Sequence, residues 1–236
     1  MKLRKGASAL VVGGTSGVGH FLARVMAEAG VDVFLAGRDA ERAKAAAHAI
    51  GPGVRGIALD LGEPDSINSA LASLPQLDYV VLAAMERDRN HVSTYDHKAA
   101  LRTVMVKMIG TPEVLHALGD RLRPESSVLL FGGVAYERPA AGSLSTATIG
   151  AGVIGLARSL AVQLAPVRVN VLHPGVIGDS PAMMSVAGDT TSAAIARTPI
   201  GRLVSTEEIA DAAVFLLANT GVNGASLIVD GGWLLA

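Results

Sequence analysis

Short runs of consecutive apolar residues alternate along the chain with longer segments in which apolar positions recur every three or four residues. The short runs lie at 8–12, 31–36, 54–58, 77–83, 126–131, 167–172 and 226–229. Continuous apolar runs are typical of parallel strands buried on both faces, whereas the longer spacing is typical of amphipathic helices. The pattern therefore predicts strands and helices in strict alternation, as in a parallel α/β fold.

Helix boundaries are marked by capping signals. The helix after the first strand places its apolar residues on one face, and these are Val18, Leu22, Val25 and Met26. Gly30 follows as a left-handed stop, and Ser205 with Glu208 has the spacing of a capping box before an apolar helix that reaches Ala218. Because connections between parallel strands are right-handed, we predict one Rossmann-type domain over residues 1–236, a doubly wound parallel sheet of about seven strands flanked by helices.

Composition narrows the classes of function. The chain carries 20 Lys and Arg against 21 Asp and Glu, so its charge of −1 predicts neither nucleic acid nor an anionic membrane as a partner. With no cysteine, thiolate catalysis and Cys-rich zinc sites are excluded. We expect a cytoplasmic protein, because we find neither a membrane-spanning apolar run nor a signal peptide. His, Asp and Glu show no metal-binding spacing, so no metal site is predicted.

The loop between the first strand and the first helix reads Gly13-Gly-Thr-Ser-Gly-Val-Gly19. A glycine-rich turn of this kind lets the backbone approach a pyrophosphate, and the free N–H groups of the following helix bind the phosphates. An ordinary tight turn between strand and helix is the alternative interpretation. The residues that we predict to bind a dinucleotide here are Gly13, Thr15, Ser16, Gly17, Val18 and Gly19.

The end of the second strand bears on which dinucleotide is bound. Proteins specific for NAD place a carboxylate there to bind the ribose 2′-hydroxyl, but this chain has Gly37 followed by Arg38. A guanidinium group can bind a 2′-phosphate through two hydrogen bonds, so NADP(H) is favoured over NAD(H). Alternatively, Arg38 belongs to a solvated helix start together with Glu41 and Arg42. Asp60, at the end of the third strand, is expected beside the adenine, unless it only caps a turn.

Several ordered motifs resemble those of the short-chain dehydrogenase/reductase family. They are the glycines Gly13, Gly17 and Gly19, the pair Asp60-Leu61, the segment Arg168-Val-Asn-Val-Leu-His-Pro-Gly175, and Gly224 with Val229-Asp-Gly-Gly232. The resemblance covers nearly the whole chain. It implies a seven-stranded sheet, a bound nicotinamide cofactor, and homodimers or homotetramers formed partly through two long central helices. Further implied cofactor contacts are Leu61, Ala83, Pro174, Gly175 and Ile177.

The chain departs from that family at the residues that carry its chemistry. An ungapped alignment places the family's Ser, Tyr, Lys and Asn at Gly133, Thr146, Gly150 and Lys107, and Leu82-Ala-Ala-Met85 replaces its Asn-Asn-Ala-Gly. Loss of a positioned general acid typically lowers a rate by ~10²–10⁴, so an ordinary ketone would be reduced poorly. The rate of reduction would fall least for an iminium or an activated enone, because such a substrate needs little protonation.

Replacement catalytic groups are candidates only. Lys107 can restore the missing cation from a neighbouring helix, or it is a solvated lysine. Tyr136 can hang over the pocket as an acid, or it belongs to a surface loop. Ser143 and Thr146, three residues apart, can hydrogen-bond a carbonyl, or they are ordinary helix-start residues.

Beyond the sixth strand, residues 176–204 occupy the position of the family's substrate loop. Met183 and Met184 make this loop apolar. Its composition predicts either a hydrophobic substrate or a lid that packs on the fold. His173 lies just before this loop, at the end of the sixth strand. We expect it either to contact the cofactor or the substrate, or to be a packed residue at the strand end. Asp179 replaces a threonine that contacts the nicotinamide amide in the family.

The prediction that follows is an NADP(H)-binding oxidoreductase that acts on a small carbonyl, enone or imine with non-standard acid assistance. One alternative is a catalytically silent cofactor-binding protein with a regulatory or scaffold role. Another is a non-redox isomerase or cyclase that uses the same pocket.

Overall fold

A computed structural model of the protein describes residues 2–86, 88–185 and 188–236. Its strands form one parallel sheet of seven in the order β3-β2-β1-β4-β5-β6-β7, which is the predicted doubly wound arrangement. The strands are β1 (Ser8–Val12), β2 (Asp32–Gly37), β3 (Val54–Ala58), β4 (Leu77–Leu82), β5 (Leu122–Phe131), β6 (Arg168–Pro174) and β7 (Ser226–Val229).

Helices cover both faces of this sheet. They are α1 (Gly17–Glu28), α2 (Ala40–Ile50), α3 (Pro64–Leu71), α4 (His97–Val104), α5 (Gly110–Leu118), α6 (Leu144–Gln163), α7 (Pro181–Met184), α8 (Gly188–Ala196) and α9 (Thr206–Ala218). A π-helical turn at Met105–Ile109 joins α4 to α5.

The apolar runs contribute side chains to two separate cores, one on each face of the sheet, because successive side chains of a strand point to opposite faces. In β1, Leu10 and Val12 pack on one face of the sheet, while Ala9 and Val11 pack on the other. These side chains are buried, and full burial of a Leu or Val side chain contributes roughly 1.5–3 kcal/mol. Burial on both faces explains why these strands show no polar alternation in the sequence.

Two local features differ from the sequence-based expectation. Strand β5 begins at Leu122 rather than at Ser126, because a short polar stretch continues the ladder and Leu122 pairs with Leu77 before the register shifts. A π turn separates α4 from α5, so this segment is not one continuous α-helix. In neither case does the spacing of apolar residues in the sequence indicate the feature.

Polar side chains hold α9 at both ends. The capping box is confirmed at its start, where Ser205 N donates to Glu208 Oε2 at 2.9 Å and Glu208 N donates to Ser205 Oγ at 3.2 Å. Near its end, the Arg168 guanidinium donates to the carbonyls of Leu216 (3.0 Å) and Leu217 (2.6 Å). A strand residue therefore satisfies carbonyls that the last helical turn leaves free.

Helix α6 is long and apolar enough to cross a membrane by length and composition alone. However, 39% of its most apolar window is buried inside the fold, and Val153, Ala157 and Leu160 belong to one of the two cores. A core helix passes the same test, so this property is weak support for a membrane span.

Gly56 provides a test of helix-to-sheet packing. A Cβ at this position would lie 2.4 Å from the backbone C and O of Ala43 in α2, so we expect Gly56→Ala to destabilise the fold by about 1–3 kcal/mol. Gly53→Ala is the matched control, because nothing lies within 4 Å of the corresponding Cβ. Guanidinium denaturation checks this, and equal stability of the two variants would contradict it.

Candidate functional site

A cavity of about 880 Å³ opens at the carboxyl edge of the sheet. It lies where β1 meets β4 and the order of strands reverses, which is the usual place for a ligand in an open α/β sheet. Every position predicted to bind cofactor lines it: Gly13, Thr15, Ser16, Gly17, Val18, Gly19, Arg38, Asp60, Leu61, Ala83, Pro174, Gly175 and Ile177.

The glycine-rich loop is packed too tightly for side chains at two of its positions. A Cβ on Gly13 would lie 2.5 Å from Ala84 N, and one on Gly19 would lie 2.3 Å from Gly13 O. The Ser16 side chain makes no capping hydrogen bond to the start of α1, so the first N–H groups of this helix remain available to an anion. This cradle fits a dinucleotide diphosphate.

At the end of β2, a side chain at position 37 would come into conflict with the Thr15 methyl group. A Cβ on Gly37 would lie 2.4 Å from Thr15 Cγ2, so a side chain there requires Thr15 to move. Arg38 lies at the cavity with 65% of its side chain exposed, and its Nη1 is ion-paired with Glu86 Oε1. A guanidinium is therefore present at the predicted position, although a carboxylate already contacts it.

Asp60 lines the cavity but is held by a partner that the sequence did not indicate. Its two carboxylate oxygens accept hydrogen bonds from Arg102 Nη2 at 2.6 and 2.8 Å, and Oδ1 also accepts one from Gly62 N at 2.9 Å. Burial by itself would raise the pKa of Asp60, but the hydrogen bonds from Arg102 and Gly62 outweigh it and lower the pKa below its ordinary value. Asp60 is thus an ionised anchor for Arg102.

Lys107 is buried rather than solvated, with only 2% of its surface exposed. It lies in the π turn and lines the cavity, and its Nζ donates to Ala84 O at 3.0 Å and to Leu82 O at 3.4 Å. Within the described part of the chain, no carboxylate forms an ion pair with Nζ. Burial lowers the pKa of Lys107 to about 7, so both charge states are populated near neutrality. Single π turns are frequent at functional sites.

The positions aligned with the family's Ser, Tyr and Lys all line the same cavity, but they leave it open. A Cβ on Gly133 would have nothing within 4 Å, and one on Gly150 would make only ordinary contacts, with Tyr136 Cβ at 3.4 Å and Gly133 O at 3.5 Å. Thr146 is the polar residue among the three, and its hydroxyl donates to Ser143 O at 3.1 Å. The structure therefore has space for a side chain at both glycines.

The structure does not bring the other two catalytic candidates to the cavity, so that expectation is corrected. Ser143 Oγ donates to Ala140 O at 2.7 Å in an exposed turn before α6. Tyr136 lies behind Gly150 and packs against His173 with ring centroids 5.0 Å apart. His173 is itself fully buried in β6, where its Nδ1 lies 3.2 Å from Gly133 O.

The substrate loop contributes apolar groups. Pro181, Ala182 and Met183 line the cavity, whereas Met184 is exposed. Asp179 points elsewhere, since it accepts hydrogen bonds from the backbone N and the hydroxyl of Thr206, each at 2.8 Å. Residues 186 and 187 of this loop lie outside the described residues.

Sequence reasoning missed Glu86 and Arg102, which make the most ion pairs at this edge of the sheet. Arg102 Nε donates to Glu86 Oε2 at 3.0 Å. The position of Glu86 just beyond β4 was a usable signal, because all parallel strands end at this edge. Arg102 is on α4 and carried no such signal. For the described ranges, no group of His, Asp and Glu side chains is arranged to hold a metal ion.

Comparison with known proteins agrees with this geometry. A family model described as enoyl-(acyl carrier protein) reductase matches residues 12–234, which is nearly the whole chain. The protein belongs to the short-chain dehydrogenase/reductase family and is an oxidoreductase of the NAD(P)-dependent class.

Individual relatives span the full chain. The cis-4-hydroxycyclohexanecarboxylate dehydrogenase of Sinomonas cyclohexanicum is 32% identical over 95% of both chains, and the 3-oxoacyl-[acyl-carrier-protein] reductase of Aquifex aeolicus is 31% identical over 97% of both. A solved short chain dehydrogenase/reductase family protein superposes with a TM-score of 0.89 at 32% identity over the whole of both chains. A Beutenbergia cavernae protein, proposed to be an NAD(P)-dependent gluconate 5-dehydrogenase and solved with NADP at low occupancy, gives 0.89 at 26% identity over 98% of both.

The buried amine of Lys107 predicts a pH-dependent stability. Its pKa is lowered on folding, so between about pH 7 and the ordinary value of 10.5 the unfolded chain binds more protons. The free energy of unfolding of the natural protein should therefore rise by about 2 kcal/mol between pH 7 and 9, relative to Lys107→Met. Urea denaturation at both pH values checks this. In the exposed control Lys98→Met, the free energy of unfolding should change with pH as it does in the natural protein. The prediction would be contradicted if the difference in this free energy between the natural protein and Lys107→Met were the same at both pH values.

Proposed function

We propose that the protein is an NADP(H)-dependent reductase of a small, apolar, electron-poor substrate, and that Lys107 supplies the acid assistance that the family's tyrosine normally gives. The observation that carries this proposal is the pairing of open space at Gly133 and Gly150 with a buried, carboxylate-free amine at Lys107. A small carbonyl, enone or imine remains the substrate class, and the geometry favours the enone.

The chain's own residues support NADP(H) as the cofactor. When bound, it supplies a hydride. The backbone around Gly13 and Gly19 would hold its diphosphate, and Arg38 would take the 2′-phosphate. Because position 37 is a glycine, no carboxylate stands there to repel that phosphate.

Lys107 is suited to an oxygen that gains negative charge. An ammonium group has three N–H donors, and two of them are engaged by the carbonyls of Leu82 and Ala84. The third can bind a substrate oxygen. A pKa near 7 also makes its proton transferable at neutral pH, which is the condition for efficient general acid catalysis.

This role discriminates among the three substrate types. If an enone were reduced here, the electron pair displaced from its β-carbon would come to the carbonyl oxygen. There the Lys107 ammonium would hydrogen-bond the oxygen and donate its proton, and the neutral amine would be reprotonated from solvent. An ordinary ketone would instead give a strongly basic alkoxide. An iminium develops no negative charge and is opposed by the ammonium.

The rest of the cavity indicates an apolar substrate body. The cavity lining includes the apolar side chains of Met85, Val134, Ala135, Val176 and Met183. Assembly into homodimers or homotetramers and a cytoplasmic location stay predictions from the sequence.

Cofactor binding is tested first, by titration of NADPH and NADH fluorescence. We expect NADPH to bind more tightly than NADH, and Arg38→Gln to weaken NADPH by roughly tenfold because the charge-assisted hydrogen bonds to the 2′-phosphate are lost. Arg24→Gln, an exposed change on α1, is the control and should bind as the natural protein does. Failure of the natural protein to bind either dinucleotide would refute the proposal.

Turnover is tested by NADPH consumption with panels of enones, ketones and imines. We expect enones to react fastest, Lys107→Met to lower kcat by about 10²–10⁴, and the rate to fall as pH rises above about 7 because the protonated amine is required. Lys98→Met serves again as control. Unchanged turnover and pH profile in Lys107→Met would exclude this lysine. Binding without consumption would favour the silent cofactor-binding alternative, and substrate conversion without NADPH would favour the isomerase or cyclase.

A further inference from the structure

Four charged side chains from four different elements form a continuous chain at the adenine end of the cavity. Arg38 follows β2, Glu86 follows β4, Arg102 lies on α4 and Asp60 follows β3. Each oxygen of the Glu86 carboxylate forms an ion pair with a different arginine. Oε1 pairs with Arg38 Nη1, and Oε2 pairs with Arg102 Nε at 3.0 Å. Arg102 binds Asp60 with Nη2, and its Nη1 lies 3.6 Å from Glu63 Oε1.

The contact between Arg38 and Glu86 crosses the end of a strand. Strands β2 and β4 lie on either side of β1 in the sheet, at spacings of about 4.8 Å, and the phosphate loop starts at the end of β1. Both residues line the cavity, and the Glu86 side chain is only 22% exposed. The guanidinium assigned to the 2′-phosphate therefore already has an internal anion.

We propose that Glu86 is a specificity-determining residue, which competes with the 2′-phosphate of NADP(H) for the Arg38 guanidinium. The inference rests on the proposed function, since it requires that NADP(H) binds. Arg102 gives Glu86 a second cation, so the carboxylate stays neutralised when it releases Arg38.

Charge and exposure explain why the exchange is possible. Ion pairs with an exposed partner are weak, and the Arg38 side chain is 65% exposed. A phosphate carries up to two negative charges and three acceptor oxygens, so it displaces a carboxylate from this guanidinium. The ribose hydroxyl of NAD(H) carries no charge, so the ion pair between Arg38 and Glu86 stays intact when NAD(H) binds. Glu86 thus reduces the advantage that Arg38 gives to NADP(H) without affecting NAD(H).

The experiment uses two probes that differ only in the 2′-phosphate, adenosine 2′,5′-bisphosphate and adenosine 5′-monophosphate, measured by calorimetry on the full chain. We expect Glu86→Gln to bind the bisphosphate roughly threefold to tenfold more tightly, with the monophosphate changed by less than about twofold. The gain should vanish when Arg38→Gln is also present, because the competition needs the guanidinium.

Glu63→Gln is the matched control. It removes the same charge, and its carboxylate lies 3.6 Å from Arg102 Nη1 without an ion pair to Arg38, so the bisphosphate affinity should not change. A gain in Glu63→Gln equal to that in Glu86→Gln, a gain that persists without Arg38, or no gain in Glu86→Gln would each overturn the inference. If Glu86→Gln does not fold, Glu86→Asp, which is too short to span both cations, should show the same gain.

The two proposals fail in different ways. If the natural protein binds NADPH but Glu86→Gln binds the bisphosphate no better, only the role of Glu86 is refuted. If the natural protein binds neither NADPH nor the bisphosphate, the proposed function is refuted and this inference with it.

Discussion

The site depends on the close approach of two backbone segments, Gly13 after β1 and Ala84 after β4. A Cβ on Gly13 would meet the nitrogen of Ala84, so only glycine lets the phosphate loop lie against the end of β4. The carbonyl of Ala84 in turn accepts a hydrogen bond from Lys107. One backbone contact therefore connects the dinucleotide cradle to the buried amine, and a shift of either segment would move both.

A cationic group lines the cavity from the π turn at Lys107, whereas Gly150 on α6 leaves space in the same cavity. The Lys107 amine is held by neutral carbonyls and is almost fully buried. Desolvation, rather than a neighbouring charge, is what brings its pKa near neutrality.

Local patterns predicted most of the fold and the cradle. The seven strands, the capping box at Ser205 and the glycine-rich loop all depend on residues that are close in the sequence. The missed features depend on residues far apart. Arg102 and Asp60 meet across the ends of different elements, and no periodicity in either segment reveals that contact. The burial of Lys107 likewise required the π turn, which has no sequence pattern that we could read.

The contact between position 37 and Thr15 constrains how nucleotide preference can change over evolution. Since a Cβ at position 37 would lie 2.4 Å from the Thr15 methyl group, a carboxylate acquired there requires the Thr15 side chain to turn away. A smaller residue at position 15 removes that conflict, although by itself it brings no new hydrogen bond to the ribose. The order of changes therefore matters, because a smaller residue at position 15 makes a later carboxylate at position 37 easier to accommodate.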